Sequence, residues 1–186
     1  MVDQLIYAVL GAKGSWSHAA AHSKYPTGQR LGCSDFEQVA NSLKSGRADI
    51  AIFPVQNSTT GPIAGVFELL ASHDFVQTDE IVLPIEHCLI GSPNLGVSEA
   101  TISRIFSHPQ GFLQCMQFLI QTYPNAAQIP ETDTATAVQR VIDEGLSMQL
   151  AIGSTFAAGL YGGKIIKADI HDQADNTTRF VCMVRR

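Results

Sequence analysis

The sequence predicts an α/β protein built as two lobes. Three observations point there. Short apolar runs that stop at glycine or at polar loops alternate with amphipathic stretches opening on Ser, Thr, Asp or Pro, the pattern of strand and helix in turn. A long extended passage, from Phe75 to Gly91, interrupts that alternation in mid-chain. A second, Lys164–Ile170, leads back to an apolar C-terminal strand. A chain that crosses to a second lobe and returns produces those two interruptions. The expected division puts residues 1–78 and 171–186 in lobe 1 and residues 79–170 in lobe 2, the boundaries being approximate.

With 186 residues, 45% of them hydrophobic, the chain can bury a sizeable core. A net charge of −5 and the lack of any basic run argue against nucleic acid, whose phosphates need clustered Lys and Arg. The four cysteines, Cys33, Cys88, Cys115 and Cys182, stand singly in apolar surroundings with no C-x-x-C pair, so they read as buried reduced thiols of a cytoplasmic protein. Neither a signal-type segment nor an apolar run of about 18 residues is present, so no membrane partner is expected.

Leu5–Leu10 is a continuous apolar run ending at Gly11, as a strand buried on both faces does. In Gly11-Ala12-Lys13-Gly14-Ser15-Trp16-Ser17-His18 two glycines permit a tight turn, and Ser17 is placed to cap the alanine-rich helix that follows. Strand, glycine turn and helix start make either an anion site or simply a well-made turn, since the spacing is neither a P-loop nor G-x-G-x-x-G. Ser34 or Asp35 caps a helix over Phe36–Ser45, ended by Gly46. Ala48–Phe53 is the next strand. The loop Pro54-Val55-Gln56-Asn57-Ser58-Thr59-Thr60-Gly61-Pro62 then gathers amides and hydroxyls at the C-terminal end of a parallel strand, where open α/β sheets bind ligands. Ile63–Ser72 reads as a helix.

Beyond the crossing, Ser92-Pro93-Asn94-Leu95-Gly96 is a turn cluster. Ile102–Phe106 is a buried strand ending at Ser107-His108-Pro109-Gln110, and an amphipathic helix runs on through Leu119 with Pro109 in its first turn. Ala127–Ile129 and Leu150–Ile152 are strands. Thr132-Asp133-Thr134 caps a helix over Ala135–Glu144, and Gly153-Ser154 opens another over Thr155–Tyr161, stopped by Gly162-Gly163. Helix starts at Ser17, Pro109, Thr134 and Ser154 offer N–H groups to a small anion. The last strand begins at Asn176-Thr177-Thr178-Arg179-Phe180, where a hydroxyl can donate a hydrogen bond and a guanidinium can grip a carboxylate with two parallel N–H bonds. An ordinary β-branched residue beside a solvated Arg is the plain alternative. His108 is assigned packing and a backbone hydrogen bond, His87 a part in the crossing, and Cys115 a place in the core.

Seven stretches, in order, resemble the catalytic region of the prephenate dehydratase family. They are Gly11–His18 (family G-P-x-G-T-F-S), Pro54–Gly61 (P-[IV]-E-N-S-x-x-G), Leu83-Pro84-Ile85-Glu86-His87-Cys88-Leu89 (L-P-I-x-H-x-L), Ser107–Gln110 with Gln114-Cys115, Asp133-Thr134-Ala135-Thr136-Ala137 (S-T-A-x-A), Ala151-Ile152-Gly153-Ser154, and Asn176–Phe180. The resemblance runs from Tyr7 to Val184. It implies two α/β lobes similar to type II periplasmic binding proteins with the active site in the cleft between them. It also implies a cytoplasmic homodimer or larger assembly that converts prephenate to phenylpyruvate, water and carbon dioxide in phenylalanine biosynthesis, with no metal and no organic cofactor. Thr178 matches the family's catalytic Thr, the proton donor to the departing hydroxyl. Asn57 and Gln110 join it as catalytic positions. Arg179, Ser15, Ser17, Ser58, Thr134, Phe180 and Gln56 fall to substrate binding.

The chain departs from the family pattern at Gln56, where the family has Glu, and at Ala12 and Trp16. If Gln56 is a weakened form of the family's site, Gln56→Glu is expected to raise the dehydration rate. Family members commonly continue into an ACT domain that binds phenylalanine, and the expectation here is the catalytic region without it. Two alternatives stay open: a prephenate decarboxylase of a natural-product pathway, which keeps the hydroxyl, and a non-catalytic protein that binds a small carboxylate.

Overall fold

A computed structural model of the chain describes residues 4–93 and 102–186. The elements run β1 (Ile6–Leu10), α1 (Trp16–Lys24), β2 (Gln29–Cys33), α2 (Phe36–Lys44), β3 (Ile50–Asn57), β4 (Gly61–Pro62), α3 (Val66–Ala71), β5 (Phe75–Pro84) and β6 (Cys88–Gly91). They continue as β7 (Arg104–Ser107), α4 (Pro109–Gln114), α5 (Met116–Thr122), β8 (Ala127–Pro130), α6 (Thr134–Glu144), β9 (Gln149–Gly153), α7 (Thr155–Tyr161), β10 (Lys164–Lys167) and β11 (Thr177–Arg185). The expected turn at Asn94-Leu95-Gly96 lies outside the described residues. The chain divides into two compact units, one of residues 1–12, 16–85 and 175–186, the other of residues 13–15 and 86–174.

The first unit is a mixed sheet in the order β2-β1-β3-β11-β5, with β4 beside β3. β1 runs parallel to β2 and β3, and β11 lies antiparallel between β3 and β5. Alternate residues of each strand serve opposite faces. Tyr7, Val9, Ile50, Ile52, Phe180 and Cys182 meet Ala20 and Ala21 of α1, whereas Ala8, Ala51, Phe53, Val55, Val181 and Met183 meet Val39, Leu43 and Val66 from α2 and α3. With both faces covered the strands read as unbroken apolar runs, which is how the sequence presents them. Each fully buried aliphatic or aromatic side chain of this kind stabilises the fold by about 1.5–3 kcal/mol.

The second unit carries the sheet order β10-β6-β9-β7-β8, with β9, β7 and β8 parallel and β6 and β10 antiparallel. Leu89, Ile105, Leu150 and Ile152 pack with Phe112, Cys115 and Leu119. Asp35 caps α2 by accepting from Gln38 N–H at 2.7 Å, and Asp133 and Ser154 cap α6 and α7 in the same way.

Several expectations are corrected. β3 continues through Pro54-Val55-Gln56-Asn57 because that stretch pairs with β11, so the polar loop begins four residues later than expected. β5 stays paired with β11 as far as Pro84, and the first compact unit runs through Ile85. α1 opens at Trp16, one residue after Gly14 and Ser15, with Gly14 at φ +93°; Ser17 therefore lies inside the first turn instead of capping it. The single helix expected from Pro109 to Leu119 is broken at Cys115, whose backbone leaves the helical region at φ −121°, ψ 18°. α3 begins only at Val66, after Gly61-Pro62 has paired with β3. The polar edge strand β2 has no counterpart in the sequence reading.

Candidate active site

Asn57, the last residue of β3, faces Thr178, the second of β11, directly across the ladder. Its amide is held from both ends. Oδ1 accepts from the N–H groups of Thr59 and Thr60, each at 3.0 Å, because the chain turns over it. Nδ2 donates to Asn176 Oδ1 at 2.7 Å, Thr178 Oγ1 at 2.9 Å and Thr177 O at 3.1 Å. Turning the amide over would set its NH2 group against the Thr59 and Thr60 N–H groups and its oxygen against the Thr177 carbonyl, so this orientation is the one the backbone permits. Asn57, Asn176 and Thr178 are 6%, 4% and 8% exposed, where such bonds are strong.

Because Thr178 Oγ1 receives a hydrogen bond, its own proton points elsewhere, and no acceptor among the described residues takes it. A donor pressed onto a hydroxyl oxygen also stabilises negative charge there, making the group a better acid. Ser58 secures the start of the strand. Its N–H donates to Thr177 O at 2.9 Å, its hydroxyl donates to Asp175 O at 3.1 Å, and the same oxygen accepts from Thr177 N–H at 2.9 Å. The Ser58 hydroxyl is thus spent on holding the loop to the strand.

Arg179 and Gln56 lie on the other face of the sheet, as neighbours of Thr178 and Asn57 must. Arg179 Nη2 donates to Gln56 Oε1 at 3.2 Å and Nη1 pairs with Glu80 at 3.3 Å, both half-exposed. The structure therefore does not bring the Arg179 and Gln56 side chains to the Thr178 hydroxyl. Phe180, expected at the substrate, is 1% exposed and belongs to the core against α1 because it is two residues on from Thr178. Ser17, also expected there, is buried in the first turn of α1.

In the second unit Gly14 is wedged against two helix starts. A Cβ on it would lie 3.3 Å from Ala135, Ala157 and Tyr161, and the Tyr161 hydroxyl donates to Lys13 O. Ser15 is thereby set by the first turns of α6 and α7. Gly111 brings α4 to the same place: a Cβ there would lie 3.5 Å from Thr134 Cγ2 and would collide with Ser107 Oγ. Ser15, Thr134 and Gln110 thus gather around adjoining helix starts. The exposed Gln110 amide and the buried Thr134 hydroxyl make no hydrogen bond among the described residues. The Asp133 carboxylate caps α6, accepting from Thr136 N–H at 2.7 Å, and places a negative charge at that helix start.

His108 caps α4, its Nδ1 accepting from Gln110 N–H at 3.2 Å, which is the backbone role expected of it. His87 is buried with Nε2 at 2.7 Å from Gln114 Oε1, and burial holds its pKa below the ordinary value. Burial likewise pushes the Cys88, Cys115 and Cys182 thiols up, so at neutral pH they are protonated and unreactive. Among the described residues no group of three or more His, Cys, Asp or Glu is placed to hold a metal ion, and no helix is long and apolar enough to cross a membrane.

The chain is thus a mixed α/β protein of two units, each with its own sheet, and polar groups gather at strand ends in the first unit and at helix starts in the second. The chain belongs to the prephenate dehydratase family, whose sequence profile it matches over residues 7–186. Arogenate dehydratase 3 of Arabidopsis thaliana, a chloroplastic protein, is 38% identical over 183 residues, covering 98% of this chain and 43% of that one. The chain thus spans less than half the length of that relative. A prephenate dehydratase from Arthrobacter aurescens, solved with L-Phe, superposes with a TM-score of 0.88 at 26% identity, over 98% of this chain and 61% of that one. A structure described as GqqA, a novel type of quorum quenching acylase, superposes with a TM-score of 0.85 at 31% identity, over 97% of this chain and 64% of that one.

Proposed function

We propose that this chain carries the dehydratase chemistry of its family, with prephenate as substrate and Thr178 as the group that delivers a proton to the departing hydroxyl. In this reaction the bond to the ring carboxylate breaks and its electron pair enters the ring. The ring then expels the hydroxyl opposite, which takes one proton and leaves as water. Carbon dioxide and phenylpyruvate are the other products, and one proton is consumed. Aromatisation drives the step, so orientation and one proton donor meet most of the demand on the protein.

The observation that carries the reading is the 2.9 Å hydrogen bond from Asn57 Nδ2 into Thr178 Oγ1. It turns the Thr178 proton outward and eases its loss. Ser15, Gln110 and Thr134 are assigned to the substrate's carboxylates. Ser58 serves by holding the loop that delivers Thr178. Arg179 is assigned a supporting part, since Gln56 and Glu80 hold it on the other face.

Arogenate, which has an amine where prephenate has a ketone, is a second reading, favoured by the 38% identity to a protein named arogenate dehydratase. The decarboxylase reading loses its main support, because Gln56 does not face the Thr178 hydroxyl. The test is to incubate the protein with prephenate and, separately, with arogenate at neutral pH and identify products by mass. Phenylpyruvate formed above the uncatalysed rate supports the proposal. Phenylalanine from arogenate alone moves the substrate, and a decarboxylated product that keeps its hydroxyl overturns dehydration.

A further inference from the structure

The hydrogen-bond chain that orients Thr178 also orients a residue given no role so far. Asn57 Oδ1 is committed to two backbone N–H groups, so Asn57 must present Nδ2 to Asn176. Asn176 must in turn present Oδ1 to Asn57, at 2.7 Å, and its own NH2 group faces away from that contact. Asn176 is 4% exposed, yet Nδ2 is not among the buried polar atoms without a partner and makes no hydrogen bond within the described residues. An amide held in a single orientation therefore offers two unspent N–H donors two residues before Thr178. Asn176 Oδ1 and Thr178 Oγ1 accept from one and the same nitrogen, which places the two side chains next to each other.

We infer that Asn176 is a further substrate-contacting residue, whose NH2 group joins the Thr178 hydroxyl in a two-donor cradle for the oxygen that leaves. This deepens the dehydratase reading and rests on it. As the carbon–oxygen bond breaks, negative charge builds on that oxygen. A preorganised N–H directed at it stabilises the transition state more than the bound substrate. Thr178 transfers the proton, and Asn176 donates a hydrogen bond without losing a proton. A purely structural Asn at a strand start would act through its backbone, and Asn176 does this too, since its carbonyl accepts from Ile85 N–H at 2.8 Å. The side-chain amide is additional to that bond.

Asn176→Asp separates the two roles. It keeps an oxygen toward Asn57 and replaces the outward NH2 by an acceptor. Removing one such donor typically costs about 10²–10³ in kcat. The expected result on whichever substrate the wild type turns over is a kcat loss of at least about 100-fold, with KM within about threefold and Tm nearly unchanged. The deficit should also narrow as pH falls into the carboxyl range, where the protonated acid regains a donor. A kcat within about threefold of wild type, a loss confined to KM, or a deficit that is flat with pH overturns the inference. If the buried charge unfolds the variant, Asn176→Ala reads the same split. Wild-type silence on both prephenate and arogenate overturns the dehydratase reading and takes this inference with it.

Discussion

The proton of Thr178 is the one on which the proposed chemistry turns, and its direction is decided by a neighbour. Asn57 fills one side of the hydroxyl oxygen, so the O–H bond has to point away from β3. Thr178→Val keeps the shape and removes the donor. It is expected to lower kcat by about 10²–10⁴-fold, the usual worth of a general acid, while substrate binding measured by calorimetry stays within a few-fold. Binding lost together with turnover would assign Thr178 to binding instead. Gln56 shows how a neighbour in sequence can be remote in function. One residue before Asn57, it meets Arg179 on the opposite face, and a Glu there would add a second carboxylate to the pair Arg179 already forms with Glu80. A Gln56 side chain on that face gives no ground for expecting Gln56→Glu to raise dehydration. The substitution should leave kcat within about threefold and raise stability in urea by no more than about 1 kcal/mol, as a half-exposed ion pair does.

At the scale of the elements, the register between β3 and β11 makes the network. Asn57 and Thr178 are separated by 121 positions, and antiparallel pairing sets them opposite each other. The sequence carried the strands, because both are apolar on two faces, and it carried the Asn and Thr through the resemblance. It could not carry the facing. A period of two says that Thr178 and Arg179 point oppositely, but only the pairing tells which of them shares a face with Asn57. Asn176 was legible as part of a motif but not as a partner, since its amide acquires direction only from Asn57. The polar edge strand β2 was missed for a plainer reason: Gln29-Arg30-Leu31-Gly32-Cys33 has neither alternation nor an apolar run. The caps at Asp35, Asp133 and Ser154 are legible as local chemistry, whereas Ser17 lies inside α1, and Asp133 at the start of α6 can be tested as a cap. Asp133→Ala should cost about 1 kcal/mol in urea denaturation by leaving the Thr136 N–H without its acceptor. No change in stability would show that water replaces the cap.

For the whole molecule, each unit has its own sheet and its own core, and the chain passes between them at Ala12–Lys13, Ser15–Trp16, Ile85–Glu86 and Ala174–Asp175. The last two passages bracket the second unit. His87 stands just inside the first of them, buried, with Nε2 on Gln114 Oε1 and its backbone N–H donating to His171 Nδ1 at 3.3 Å; Asp172 N–H in turn donates to Gln114 O. One imidazole thus sits where the segments that begin and end the unit meet α4. Burial, and the charge of His171 to a lesser degree, disfavours the imidazolium, so its pKa in the folded state lies below the ordinary value of about 6.5. The unfolded chain then binds a proton that the folded chain refuses, and stability rises with pH across the interval between the two values. Stability from this group is complete above about 6.5 and is lost as pH falls toward the lowered value. The lowered carboxylates of Asp35, Asp79 and Glu144 lose theirs in a separate window, below about 4.5. A Tm profile of the wild type should therefore already slope downward between about pH 6.5 and 5, before any carboxylate titrates. In His87→Gln, which keeps an N–H for Gln114 and cannot take up a proton, that upper limb should flatten while the acid limb remains. An unchanged slope above pH 5 in the variant would assign the effect to other groups.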